Sequence, residues 1–346
     1  MAQAMRVDGM PRPGGCVGRL YRISRAAALI VLWTLCAVAS NAQPAPKKIV
    51  IAGWGPHSSL DEAVAGLLRG LESEGFTSRK NLAIEQANVN FDRAIIPQML
   101  ARLSSLNPDV MVTIATPVSQ TALKALRERR FPIVFTPVGD PIAVGLVPSW
   151  SSPGDNITGT SNLPDWDAVV AFFATLLPDA KRFAFIYDTG DESSSIDLAA
   201  IDAPMTRRGL ALIKVGMDAP SEAPQRVQSI VGRADVLIMS ASGRVQGAAP
   251  AIAAVATRAR LPLVGTVPGP VKQHLALAAY SASYDKVGEK AGIMVGKLLK
   301  GMPLKELPPW RPSPADLQPT ISAEQLAALG LRLPPTLEQC NCLVKR

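Results

Sequence analysis

The residues best placed for chemistry stand just beyond short apolar runs. Asp140 is the one charged side chain in Phe135–Val147, between Gly139 and Pro141 and three residues past Pro137. Both prolines fix φ and the glycine permits a tight bend, so the loop is stiff and carries a single acceptor. Such a carboxylate suits an ammonium or hydroxyl group on a ligand, or it caps the turn that follows it. Ile114-Ala115-Thr116-Pro117 repeats the arrangement one strand earlier, where the Thr116 hydroxyl either caps a helix or faces a ligand. Gly53-Trp54-Gly55-Pro56-His57-Ser58 follows the first apolar run, and Trp54 there either stacks on a ligand or lies against its own domain. Asp188, Ser240 and Thr266 hold the corresponding places further along, and Tyr280–Asp285 adds hydroxyls and the Asp285 carboxylate at a candidate hinge. Together they supply short hydroxyls, aromatics and a few acids of the sort that line a small-molecule cleft.

Catalytic patterns are scarce. His57 and His274 are the only histidines, and there is no Gly-x-Ser-x-Gly elbow, no His-Glu-x-x-His helix and no Gly-Lys-Ser/Thr phosphate loop. Ser58 beside His57 leaves a hydrolase as the weakest alternative, because adjacent residues rarely align as nucleophile and base. No cofactor and no metal site is expected.

The elements that must carry these residues alternate. Ile49–Ala52, Leu82–Ile84, Asp109–Ala115 and Phe131–Phe135 read as strands, and Leu60–Glu74, Arg93–Ser105 and Val118–Arg130 as the helices between them. The rhythm breaks at Pro153-Gly154-Asp155-Asn156, and Ile157–Thr160 reads as an extended segment leading elsewhere. A second series follows, with strands Arg182–Tyr187, Leu210–Val215, Val236–Met239, Leu261–Val264 and Leu275–Tyr280. Helices Asp165–Leu177, Ser194–Arg208, Glu222–Val231 and Val245–Arg260 fill the spaces. Alternation of this kind predicts crossover units on parallel sheets, and 346 residues exceed what one core usually supports, so the expectation is an α/β protein of two parallel-sheet lobes. Ligands of open parallel sheets sit beyond the carboxyl ends of the strands, so two such edges facing one another form a cleft.

The amino terminus is set apart. Arg19, Arg22 and Arg25 precede the apolar run Ala26–Val38, and Ser40-Asn41-Ala42 places small residues for cleavage after Ala42, the pattern of a secretory signal peptide over residues 1–42. The leader holds five of the 36 basic and one of the 28 acidic residues, so the mature charge falls from +8 to +4. With no basic block interleaved with aromatics left, nucleic acid is not an expected partner. Apolar residues at 48% against 18% charged are the balance of a globular chain and not of a disordered one. Cys16 and Cys36 leave with the leader, and Cys340 and Cys342, one residue apart, are expected as an unbonded tail pair.

Three stretches carry a resemblance: Pro132-Ile133-Val134-Phe135; Val138-Gly139-Asp140-Pro141 with Gly145-Leu146-Val147; and Pro153-Gly154-Asp155-Asn156-Ile157-Thr158-Gly159. They are similar to the ABC-transporter substrate-binding protein family that includes tryptophan-binding TrpX-like proteins. Lys297–Pro303, Leu307-Pro308 and Ala323–Pro335 match its closing segment, so the likeness runs from about Lys48 to Thr336. The resemblance implies a type I periplasmic-binding fold with three crossings between the lobes. Lobe I would span 43–160 with 282–303 returning to it, lobe II 161–281 with 311–336 returning to it, and 337–346 would be a tail. It further implies a monomer in the periplasm that closes by a hinge on an amino-acid-like or aromatic ligand and delivers it to an inner-membrane ABC permease. The ligand-binding positions it implies are Trp54, Thr116, Asp140, Asp188, Ser240 and Asp285. A ligand-sensing periplasmic protein of a signalling system is the alternative role for the same fold. Leu275–Ser281 departs from the family's glycine pair before a tyrosine-glycine step, and Asp155 stands where the family usually repeats glycine, so ligand identity does not transfer.

Overall fold

The computed structural model describes residues 45–345; the expected leader and its cleavage point lie outside the described residues. The first sheet is built from β1 (Lys47–Gly53), β2 (Leu82–Asn88), β3 (Val110–Ile114), β4 (Ile133–Val138) and β5 (Ile157–Ser161). All its pairs are parallel, in the order β2-β1-β3-β4-β5. Helices α1 (Ser58–Ser73), α2 (Ile96–Ser104) and α3 (Thr116–Ala125) make the crossovers. β3 and β4 are buried along their whole length, which is why Val110–Ile114 and Ile133–Val138 read as near-continuous apolar runs, interrupted by Thr113 and Thr136, and not as alternating ones. The extended segment at Ile157 is the fifth strand of this sheet.

The chain then runs through α4 (Trp166–Leu176), β6 (Arg182–Asp188), α5 (Glu192–Arg207), β7 (Ala211–Met217), α6 (Ala223–Gln228) and β8 (Val236–Met239). It continues with α7 (Gly243–Gly247), α8 (Ala249–Arg258), β9 (Leu263–Gly265), α9 (Gly269–Lys272) and β10 (Ala278–Ala282). The helix expected over Val245–Arg260 is two helices, because Pro250 starts the second and cannot continue the first. After β10 comes α10 (Tyr284–Leu299), then β11 (Leu317–Ser322), α11 (Ala323–Leu329) and β12 (Leu343–Val344). The second sheet has the order β12-β11-β10-β9-β8-β6-β7 and is parallel except where β10 meets β11.

Each sheet has its own buried cluster, one centred on Ile49, Val112 and Phe135, the others on the two faces around Leu237 and Phe185. α10 belongs to the first sheet. It lies along α1 at a distance that leaves no room for side chains: a Cβ on Gly288 would stand 1.9 Å from the Ala63 carbonyl oxygen, and one on Gly66 2.0 Å from that of Asp285. Beyond it, Trp310 bonds through its backbone to Gly159 and Ser161 before the chain enters β11 in the second sheet.

Cys340 and Cys342 are joined by a disulfide, in contrast to the unbonded pair expected. The tail is not loose. β12 pairs with β11, Ile321 N–H donates to the Cys342 carbonyl at 2.8 Å, and Cys342 packs in the core, bringing the two Cα atoms to 5.1 Å, well inside disulfide range. Among the described residues no helix is long and apolar enough to cross a membrane.

Candidate functional site

In each sheet the strand order reverses once, between β1 and β3 in the first and between β6 and β8 in the second. Crossovers leave in opposite directions at such a point and open a crevice beyond the strand ends. The two crevices face one another. Between them lies a cavity of about 40 Å³, measured for the centres of water-sized spheres, and both halves line it.

From the first half come Trp54, which follows β1, and Thr116, which opens α3. Ala115 sits at φ 75°, the left-handed region that a residue with a Cβ rarely adopts, and this bend turns the start of α3 toward the cavity. No side chain caps α3, so Thr116 lines the cavity without serving as that cap. Trp54 is 1% exposed; Phe91 meets its ring edge-on at 5.8 Å, and the Arg93 guanidinium lies 5.7 Å from its centroid. The indole Nε1 is buried and has no protein partner.

The other expected positions fall differently. Asp140 directs its carboxylate into its own loop, where Oδ1 accepts from Ile142 N–H and Ala143 N–H, both at 3.0 Å; Pro137 and Gly139 are the residues of that loop on the cavity wall. Asp188 is buried beside the cavity and accepts from Gly190 N–H at 3.0 Å and the Ser242 hydroxyl at 3.3 Å, with Arg93 and Arg244 at 4.0 and 3.9 Å. Because Arg93 comes from the first half and Asp188 from the second, this is a charge node across the cleft. Ser240 is buried at the end of β8, its hydroxyl without a protein partner and its carbonyl accepting from the Gln246 amide at 2.7 Å. Asp285 lies off the cavity: it stands in the first turn of α10 and pairs with Arg69 of α1.

The cavity's acids are Asp191 and Asp197, neither singled out by the sequence reading. Asp191 caps α5, accepting from Ser193 N–H and Oγ, and its burial raises its carboxyl. Asp197 lies one to two turns on, with a single long bond from Trp166 Nε1–H at 3.3 Å. Burial, reinforced by the charges of Asp191 and Asp140, pushes its carboxyl up to about 7 against the opposing Trp166 bond. A legible signal existed. Ser194, Asp197, Ile201, Pro204 and Met205 are the buried residues of α5, so Asp197 occupies the inward stripe of that helix at three- and four-residue spacing. His57 at the start of α1 is held down to about 4 by burial, and Tyr284 at the start of α10 accepts from the Asn162 amide at 2.8 Å while burial raises its phenol.

The chemistry on offer is recognition. α1 and α3 present amino-terminal ends without a side-chain cap, where N–H groups and the helix dipole favour an anion, whereas α5 and α10 are capped by Asp191 and Ser283; the acids favour a cation. The halves touch across the cleft. Gly269 N–H donates to Ser59 Oγ at 3.1 Å, Lys272 pairs with Glu62 at 2.8 Å, and the Gln120 amide donates to Glu192 at 2.7 Å, so the structure is that of a shut cleft.

The sequence matches the family model described as ABC transporter substrate binding protein over residues 48–336. The chain belongs to that family. A curated relative from Clostridioides difficile (strain R20291), a tyrosine-binding protein, is 30% identical over 262 residues, 76% of this chain and 75% of the relative. Among solved structures, the ABC domain from Streptococcus pneumoniae in complex with L-Trp superposes with a TM-score of 0.81 at 22% identity, covering 86% of this chain and 100% of that one. A ligand-free, open substrate-binding protein with adhesive properties from Clostridium difficile gives 0.65 at 29% identity, covering 86% and 99%. The two-lobed fold of the type I periplasmic-binding proteins is therefore that of this chain.

Proposed function

We propose that this family member captures a free α-amino acid between its two sheet-bearing lobes and hands it, chemically unchanged, to an inner-membrane ABC permease as part of an importer. The observation that carries this reading is the shut cavity in which the under-partnered carboxylate of Asp197 shares a small space with the uncapped starts of α1 and α3. A zwitterion satisfies both: its ammonium compensates the buried acid and its carboxylate meets the N–H groups. The tyrosine-binding relative and the similar structure in complex with L-Trp support the same class. The basic residues, apolar run and small-residue cleavage pattern of residues 1–42 support export to the periplasm. Trp54 and Thr116 form walls of the site in this reading, Asp188 and Ser240 stand behind them, and Asp140 shapes the rim.

The test is to purify the protein from cells without added ligand, denature it, and identify what is released by mass spectrometry. An intact amino acid at near one equivalent is expected. A released compound that is not an amino acid, or conversion of an added amino acid to a product, contradicts the reading.

A further inference from the structure

One hydrogen-bond donor in the cavity wall has no acceptor among the described residues. Tyr284, the first residue of α10, is 2% exposed and lines the cavity. Its phenol oxygen accepts from the Asn162 amide at 2.8 Å, and among the described residues the phenol hydrogen is given to no protein group. Burial raises the phenol, so it keeps that hydrogen throughout the neutral range; the charge of Asp197 adds to the rise, which places acid and phenol within electrostatic reach of one another. A buried donor without an acceptor carries a desolvation cost, and an acceptor that arrives with the ligand removes it.

The kind of acceptor follows from which half holds what. Tyr284 belongs to the first half, where its ring packs in the buried cluster of the first sheet and α10 lies against α1. That half also supplies the uncapped starts of α1 and α3, whereas both acids of the cavity wall, Asp191 and Asp197, come from α5 of the other half. A zwitterion held across the cleft thus turns its ammonium to the acids and its carboxylate to the half that carries Tyr284. An ionised carboxylate is also a stronger acceptor for a phenol O–H than a neutral oxygen.

The phenol is held where the lobes join. Tyr284 follows the crossing that leaves β10, and Asn162 begins the one that leaves β5. Ser161, beside Asn162, donates its N–H to the Trp310 carbonyl of the third crossing at 2.9 Å, and the Asn162 N–H is tied to the Val138 carbonyl at 3.0 Å. Groups beside a hinge are displaced least when lobes rotate, so this donor is in place before the cleft shuts.

Resting on the amino-acid reading above, we infer that Tyr284 is a ligand-binding residue whose phenol, positioned by Asn162 at the junction of the three crossings, donates its hydrogen to the carboxylate of the captured amino acid.

Calorimetric titration of purified protein, stripped of ligand, with the twenty L-amino acids identifies the tightest binder. A crystal structure of wild type with that amino acid should place a carboxylate oxygen within about 3 Å of Tyr284 Oη. Tyr284→Phe deletes the hydroxyl alone and should weaken the same amino acid about tenfold or more. Asn162→Ala should weaken it about three- to fivefold in wild type and less than about twofold in the Tyr284→Phe background, a dependence that a merely structural amide would not show. If Tyr284→Phe does not fold, the structure of the wild-type complex decides. A Tyr284 Oη farther than about 4 Å from both carboxylate oxygens, or a folded Tyr284→Phe that binds as wild type does, overturns the inference and leaves the amino-acid reading intact. An equal cost of Asn162→Ala in both backgrounds overturns the positioning role. Binding of none of the twenty amino acids to wild type overturns both readings.

Discussion

Replacing Asp197 by Asn should stabilise the ligand-free protein and weaken ligand binding at the same time, two effects that a purely structural residue would not separate. The carboxyl's ordinary value is 3.8, and burial pushes it up to about 7 in the folded protein. At about 1.4 kcal/mol for each pH unit between them, the ionised form costs the shut, empty protein about 4 kcal/mol at and above pH 7. The sign follows from proton counting. Between about 4 and about 7 the folded protein holds a proton that the unfolded chain has released, so stability falls as pH rises through that window, and below it the penalty vanishes because both states are protonated. Asn keeps an oxygen for the Trp166 Nε1–H bond and carries no charge. Opening of the cleft recovers part of the cost by hydrating the acid, so the expected gain in ligand-free melting temperature at pH 8 is about 5 °C, shrinking to nothing near pH 4. Affinity for an amino acid should drop about 100-fold, the loss of a charge-assisted bond to its ammonium. His57, held down to about 4, contributes in the opposite sense, adding stability above its ordinary 6.5 that is lost as pH falls toward 4, so the difference between wild type and variant is the quantity to read. Melting curves across pH with and without ligand measure it. A variant that melts lower than wild type at pH 8, or binds ligand equally well, refutes the reasoning.

Other perturbations separate the lobes from the latch. Gly288→Ala drives a Cβ into the Ala63 carbonyl of α1 and should lower ligand-free stability by about 2–3 kcal/mol, seen as a lower denaturant midpoint with intact secondary structure at zero denaturant. Lys272→Ala removes the Glu62 pair across the cleft and should weaken ligand binding two- to fivefold at low salt and less at high salt, with ligand-free melting unchanged, as titrations at two ionic strengths would record. Asp140→Ala deletes the acceptor of two turn N–H groups and should cost about 1 kcal/mol of ligand-free stability, checked by urea unfolding.

The sequence makes the scaffold legible because burial on both faces leaves a mark that needs no tertiary knowledge. Runs such as Ile49–Ala52 and Val236–Met239 are apolar throughout, and the helices between them set the parallel order. Trp54 and Thr116 could be placed at the cleft for the same reason: they stand one and two residues past a strand end. The remainder depends on which way a side chain turns. Asp140 occupies the right kind of loop, but two backbone N–H groups lie nearer to it than the cavity does. Asp285 suits a hinge by its place in the sequence and is instead held by Arg69 against α1, a contact set by the glycine-lined approach of two helices more than 200 residues apart in the chain. Asp197 is the converse case, a helical carboxylate that only the inward stripe of α5 betrays. Loop length alone argues against bonding the tail cysteines, whereas the pairing of β12 with β11 is what seats them.

In the proposed cycle two lobes shut over an amino acid and reopen when it leaves. Small-angle X-ray scattering of the stripped protein, before and after saturation with the best-binding amino acid, tests it most directly. A smaller radius of gyration is expected on saturation, with recovery of the larger value after dialysis. An unchanged radius despite measured binding at the cleft would contradict it.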